Sequence, residues 1–109
     1  MPYLIVQFPG GREQRVPLGK SPTVLGRSAG CDFQVNDPKA SRRHCQLSEH
    51  EGQWTLQDLD SRNQTWMGLE PVTEVLLSDG DQFRVGRTHI VFRADDDPTQ
   101  VFQDKPDWS

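Results

Sequence analysis

The apolar residues of this chain come in short blocks interrupted by glycine, proline, asparagine and aspartate, and that punctuation limits what it can fold into. No window repeats apolar side chains at spacings of three and four, so helices are expected to be few or absent. Blocks of Val, Ile, Leu, Phe and Trp with a period of two put alternate side chains on opposite faces of a strand. Turn signals recurring every eight to twelve residues or so, between such blocks, predict an all-β chain: an antiparallel β-sandwich of about eleven short strands. In that architecture loops gather at two ends, so residues far apart in sequence can form one site.

Tyr3 to Phe8 is rich in β-branched and aromatic residues and runs into Pro9-Gly10-Gly11, which predicts a hairpin returning along Gln14 to Leu18. Pro17 suits an edge or a strand end, because it has no amide hydrogen to donate. Strands are also expected at Thr23–Gly26, Phe33–Val35, Cys45–Leu47 and Trp54–Asp58, with two further hairpins in this stretch. Asn36-Asp37-Pro38 stops one of these strands. Thr65–Met67, Val72, Val75–Leu77, Gln82–Val85 and Thr88–Arg93 complete the pattern, with Ser78-Asp79-Gly80-Asp81 as a turn. Trp54 and Trp66 are expected in the core.

Charge is unevenly placed. Residues 94–109 hold Asp95, Asp96, Asp97, Asp104 and Asp107 against Lys105, a net -4, which leaves residues 1–93 neutral with 11 acidic and 11 basic side chains. A neutral body lacks the broad positive field of non-specific nucleic-acid binding, so its basic clusters suit a small anion and no nucleic acid is expected. No apolar run approaches a membrane span or a signal peptide, so a cytoplasmic protein with no membrane partner is expected. Cys31 and Cys45 are too few for a disulfide framework and are read as free thiols. The reading is one folded domain over residues 1–93 followed by an acidic flexible tail or linker over 94–109, in a monomer.

Three polar clusters stand at expected strand ends: Gly26-Arg27, Lys39-Ala40-Ser41-Arg42-Arg43-His44 and Ser61-Arg62-Asn63. Brought together, their forked guanidinium groups, hydroxyls and carboxamide would suit a dianionic phosphate with several acceptor oxygens. Other chemistries fit less well. Ser41 and His44 have no third orienting group, which argues against a nucleophile and base, and the chain is read as not an enzyme. His44, Cys45 and His50 lack metal-ligand spacing, and neighbours on a strand face opposite ways, so neither a metal nor another cofactor is expected. Arg43 is read as a solvated or salt-bridged face.

In order and at their spacing, Gly26-Arg27 with Cys31-Asp32, Ser41-Arg42-Arg43-His44, Asp58 to Thr65, Asp79-Gly80-Asp81 and Val85-Gly86 resemble the forkhead-associated (FHA) domain. The resemblance covers about Thr23 to Phe92. It implies a sandwich of the FHA/SMAD-like type, with a ligand site in the loops at one end. The implied function is a phosphothreonine-peptide binding module for phosphorylation-dependent protein–protein interaction in kinase signalling.

The resemblance also implies roles. Arg27 would bind phosphate, Ser41 would donate its hydroxyl to another phosphate oxygen, and Arg42 and Arg62 would add donors. Asn63 would hold the peptide main chain, since a carboxamide donates and accepts at once. Lys39 is a candidate for reading a residue C-terminal to the phosphothreonine, and Gln64 a candidate for peptide specificity. Gly26, His44, Asp58 and Thr65 would be structural. Two positions depart from the family pattern: Gln64 stands where glycine is usual, and Gly68-Leu69 where Asn-Gly is usual. Glutamine tolerates positive φ much less well than glycine, and a loop reshaped by Gln64 would leave a phosphate-independent interaction scaffold as the alternative. The expected partner is a phosphothreonine-containing protein, a Ser/Thr kinase or its substrate. Thr99, between Asp96-Asp97 and Val101-Phe102, resembles a kinase substrate, which makes its phosphorylation, self-binding of the tail and regulation of the domain by it a further expectation.

Overall fold

A computed structural model of the chain describes residues 2–19 and 21–94. Thr99 and the rest of the acidic tail lie outside the described residues. Eleven strands follow one another without a helix among the described residues: β1 (Tyr3–Gln7), β2 (Glu13–Pro17), β3 (Thr23–Gly26), β4 (Phe33–Gln34), β5 (Cys45–His50), β6 (Gln53–Asp58), β7 (Thr65–Met67), β8 (Glu70–Val72), β9 (Glu74–Leu77), β10 (Gln82–Val85) and β11 (Thr88–Arg93). They form a six-stranded sheet in the order β2-β1-β11-β10-β7-β8 and a five-stranded sheet in the order β4-β3-β5-β6-β9. The two sheets make the β-sandwich that the period of two predicts.

Alternation along each strand fills the space between the sheets. Leu4 and Val6, Phe83 and Val85, and Ile90 and Phe92 point inward from the six-stranded sheet, against Leu25, Leu47 and Leu56 from the other. Each such buried side chain contributes on the order of 1.5–3 kcal/mol. Trp54 joins this core, tilted against Phe92 with ring centroids 6.4 Å apart. Both proline-containing strands, β2 and β8, sit at sheet edges, where a missing amide hydrogen breaks no ladder.

The structure corrects three expectations. Of the two hairpins expected in the middle of the chain, β5 and β6 form one, but β3 pairs with β4 in parallel and with β5 antiparallel. A parallel pair cannot be closed by a tight turn, which is why residues 27–32 make a wide loop instead. Leu18 lies beyond β2 but is a core residue, its amide donating to the Pro2 carbonyl. Trp66 is not in the core: it follows the inward Thr65 on β7, faces outward half-buried, and carries the Arg84 guanidinium 5.6 Å from its ring centroid.

Candidate functional site

The hairpin β1–β2, loop 27–32, loop 35–44, loop 59–64 and the turn at Gly86-Arg87 all open at one end of the sandwich. Loops 27–32 and 35–44 touch first at Gly26. A Cβ built there would stand 2.1 Å from the Arg42 carbonyl oxygen, so only glycine lets these backbones meet. The contact is closed by two bonds, the Arg27 amide donating to the Ser41 carbonyl at 2.8 Å and the Ser28 amide to the Arg42 carbonyl at 3.1 Å. Cys31 Sγ adds a third contact to that Arg42 carbonyl at 3.0 Å.

His44 ties the second loop to the third. It is fully buried, its amide donating to the Leu25 carbonyl and its carbonyl accepting from the Leu59 amide. Its Nδ1 accepts the Ser41 amide at 3.0 Å, so Nε2 carries the proton and donates to the Gln64 carbonyl at 2.9 Å. The ring is thus a strut between loops. It does not face the Ser41 hydroxyl, which accepts from the Arg62 amide at 2.9 Å.

Asp58 closes loop 59–64 on itself, accepting from the Ser61 amide, the Ser61 hydroxyl and the Thr65 hydroxyl. Burial pushes its carboxyl up, but these bonds, with the nearby His44, outweigh burial and hold it below the usual carboxylate value. Beside it, burial and then the Asp58 charge push the Cys45 thiol far up, so this residue stays an uncharged core side chain. Gln64 adopts φ of 66° despite its side chain, its carbonyl held by His44. The departure from glycine therefore leaves the left-handed turn in place. At the other departure, Gly68 takes positive φ and Leu69 does not, the pattern of a two-residue type II′ hairpin turn between β7 and β8.

The outcome is a hollow of about 290 Å³ whose wall includes Arg27, Lys39, Ser41, Arg42, Arg62 and Asn63. Arg27 Nε is committed to the Ala40 carbonyl at 3.0 Å, which fixes the guanidinium and leaves its terminal amino groups for a ligand. Because the Ser41 oxygen accepts from Arg62, the hydroxyl proton is available to donate. Asn63 Nδ2 donates to the Lys39 carbonyl at 2.8 Å, while its own carbonyl accepts from Trp66 Nε1 at 2.9 Å. The phosphate candidates and Lys39 are thus brought together. Gln64 is exposed beside Asn63 and outside that wall, and Arg43 borders a separate hollow with Asp32. Gly26, His44, Asp58 and Thr65 hold the loops from below.

Sequence reasoning missed Asp37, read there only as part of a strand stop. It is buried, 2% exposed, and accepts from the Lys39 amide, the Arg87 amide and the Thr88 hydroxyl, joining loop 35–44 to the β10–β11 turn. Burial raises its carboxyl, and the three hydrogen bonds and the Arg87 charge more than reverse this, leaving it below the usual value. Gly86 belongs to the same joint, since a Cβ there would meet the Asp37 carboxylate at 2.8 Å. No local pattern marks a partnership 50 residues apart.

Among the described residues no three His, Cys, Asp or Glu side chains cluster to hold a metal ion, and no helix is long and apolar enough to cross a membrane. A larger hollow, about 760 Å³, lies at the opposite end around Trp54, Leu77 and Phe92, with Glu49 and Asp79 on its rim. It holds none of the converging cations, so size does not mark the site here.

The sequence profile of the FHA domain matches residues 23–86, and the chain belongs to that family. An oxoglutarate dehydrogenase inhibitor of Corynebacterium efficiens is 31% identical over 91 residues, 84% of this chain and 64% of that protein. The crystal structure of the FhaA FHA domain, complexed with the intracellular domain of Rv3910, superposes with a TM-score of 0.75 at 31% identity, covering 85% of this chain and all of the other. A further solved FHA domain, from an analysis of phosphothreonine-dependent interactions, gives a TM-score of 0.70 at 31% identity over 84% of this chain and 95% of its own. The chain spans 62–64% of the length of the first curated relatives it matches.

Proposed function

We propose that this protein is a non-enzymatic, phosphothreonine-dependent peptide-binding domain. The observation that carries this reading is the hollow in which the Arg27 fork, the Ser41 hydroxyl and Arg42 and Arg62 converge with Asn63, already braced by the protein's own hydrogen bonds. A phosphothreonine brings nearly two negative charges and three acceptor oxygens. Arg27 takes two oxygens by its terminal amino groups, Ser41 donates to another, and Arg42 and Arg62 balance the remaining charge. Asn63, whose Nδ2 is tied to Lys39, offers Oδ1 to an amide of the peptide main chain. Because the donors are already in place, binding orders little of the protein, which limits its entropic cost.

The domain occupies residues 1–93, with 94–109 as an acidic tail or linker, and acts in the cytoplasm as a monomer. Its partner is a protein carrying phosphothreonine, a Ser/Thr kinase or a substrate of one. A solved relative from an analysis of phosphothreonine-dependent interactions supports this reading. The test is calorimetric titration with one peptide in phosphothreonine and threonine forms. The phosphorylated form alone should bind, and Arg27→Ala should weaken it roughly a hundredfold or more while the domain stays folded. Equal affinity for the two forms, or binding indifferent to Arg27→Ala, would overturn the proposal in favour of a phosphate-independent scaffold.

A further inference from the structure

The two sheets turn different outer faces to solvent. On the five-stranded sheet the outward side chains of β5 and β6 include Gln46, Ser48, Thr55 and Gln57, neutral polar groups of the kind an antiparallel sheet ordinarily shows to water. The six-stranded sheet departs from that pattern. Its inward Leu4, Val6, Ile90 and Phe92 alternate with outward Tyr3, Ile5 and Val91, and register sets Ile5 between Arg15 on β2 and Val91 on β11. Trp66 faces outward farther across the same sheet, opposite Arg84. Ile5, Val91 and Trp66 are each only half-buried.

Two guanidinium groups frame this apolar strip and are steadied by its rings. Arg15 lies 4.3 Å from the Tyr3 ring centroid and Arg84 5.6 Å from that of Trp66, with Arg84 also donating to the Gly86 carbonyl. Among the described residues neither forms an ion pair. The acids bordering the face are engaged elsewhere: Glu13 accepts from Gln7 at 3.0 Å, and Asp79 holds Arg93 and the Ala94 amide.

The chain itself carries a matching segment. β11 is an inner strand of this sheet and runs directly into Ala94, so residues 95–109 continue from the border of the face. They hold five aspartates against Lys105, together with the bulky apolar Val101, Phe102 and Trp108. Asp97-Pro98 is a turn-forming pair that allows the chain to reverse. From Ala94 to Phe102 the chain can reach up to about 26 Å, whereas the whole of β11 spans about 20 Å. The hollow around Trp54 also borders Ala94, but Glu49 and Asp79 on its rim repel the aspartates.

We propose that the acidic segment 95–109 folds back over the outer face of the six-stranded sheet, Phe102 packing on Ile5 and Val91 while its aspartates pair with Arg15 and Arg84. Exposed ion pairs are individually weak, and tethering offsets this, because a segment attached so close has an effective concentration of about millimolar. The contact belongs to the unmodified segment. It is distinct from occupation of the loop-end hollow by phosphorylated Thr99, and it does not rest on the phosphothreonine reading.

The experiment is nuclear magnetic resonance on the full chain at low ionic strength. Cross-relaxation peaks are expected between the Phe102 ring and the methyl groups of Ile5 and Val91. Phe102→Ser, which alters no residue of the sandwich, should shift those methyl signals and leave the core methyls of Leu25 and Leu56 in place. Arg15→Glu combined with Arg84→Glu should remove the peaks, and about 1 M sodium chloride, which cuts the screening length to about 3 Å, should weaken them roughly twofold or more. The Leu25 and Leu56 signals report whether the double variant stays folded; if it does not, the salt and Phe102→Ser results decide. An absence of Phe102 contacts in the unmodified chain, contacts to either end hollow instead, or peaks that survive in the folded double variant would overturn the proposal. Peaks seen only between differently labelled copies would overturn it in favour of a contact between two chains.

Discussion

The two ends of the sandwich spend their charged side chains differently. At the end where the sheets close over Trp54 and Phe92, acidic groups cap their own turns. Glu49 accepts from the Gly52 amide, Asp81 from the Ser78 amide, and Asp79 from the Ala94 amide and Arg93. The bonds of Glu49 and Asp81 are local, those of Asp79 tie its turn to the end of β11, and together they leave a large hollow with no converging donors. At the loop end the Asp37 carboxylate is drawn inward as a strut between loops, that of Asp58 closes loop 59–64 on itself, and the cations are left facing solvent. The lesson is that a site for an anion is made as much by where its acids are hidden as by where its arginines stand.

The comparison can be broken most forcefully at Gly26. Gly26→Ala should destabilise the domain by about 3 kcal/mol, near the upper end for overpacking, because its neighbour is backbone and cannot swing away. It should also abolish phosphopeptide binding, which chemical denaturation and titration would measure together. At the opposite end Gly52→Ala meets open space and carries only the strain of its positive φ, so a loss of about 1 kcal/mol is expected. Equal losses at both glycines would remove the distinction between a packed loop end and a simple turn.

Asp58→Ala should cost about 2 kcal/mol, since three donors lose a charged acceptor at once. Capping of a single turn amide by Asp81 should be worth less, so Asp81→Ala is expected to cost about 1 kcal/mol. Acid should act at the two inward carboxylates. Asp37 and Asp58 have carboxyl pKa values held below the ordinary 3.8, so the unfolded chain takes up protons first as pH falls. Their contribution is therefore complete above that value and is lost as pH drops through it towards the folded values. Thermal melts across this window should show the fall, and Asp37→Asn should flatten it.

The smallest effect is expected at Gln64. Gln64→Gly relieves a left-handed side-chain residue but frees the unfolded chain, so a net stabilisation of no more than about 1 kcal/mol should appear in denaturation. A destabilised variant would mean that the Gln64 side chain contributes to the loop in its own right.

Much of this was readable in the chain. A period of two in Tyr3 to Gln7, Trp54 to Asp58 and Thr88 to Arg93 marked strands and their inward faces, because alternation is a property of the local backbone. Arg27, Ser41, Arg42, Arg62 and Asn63 were legible as a set from residue type and spacing, and the hollow gathers them. Trp66 was misjudged as core because a bulky aromatic on a strand gives no sign of which face it takes. Only its neighbour Thr65, buried on Asp58, decides that.

The sequence by itself determined the all-β class, the turn positions and the residue types able to hold a phosphate, since each depends on side-chain chemistry and spacing along the chain. Tertiary structure alone decided which strands pair, with β3 beside β4 in parallel, and how three loops share one hollow. It also decided that Asp37 and Arg87, 50 residues apart, form one joint. These are contacts between distant segments, fixed by packing and by the need of every buried polar group for a partner, and no local pattern encodes them.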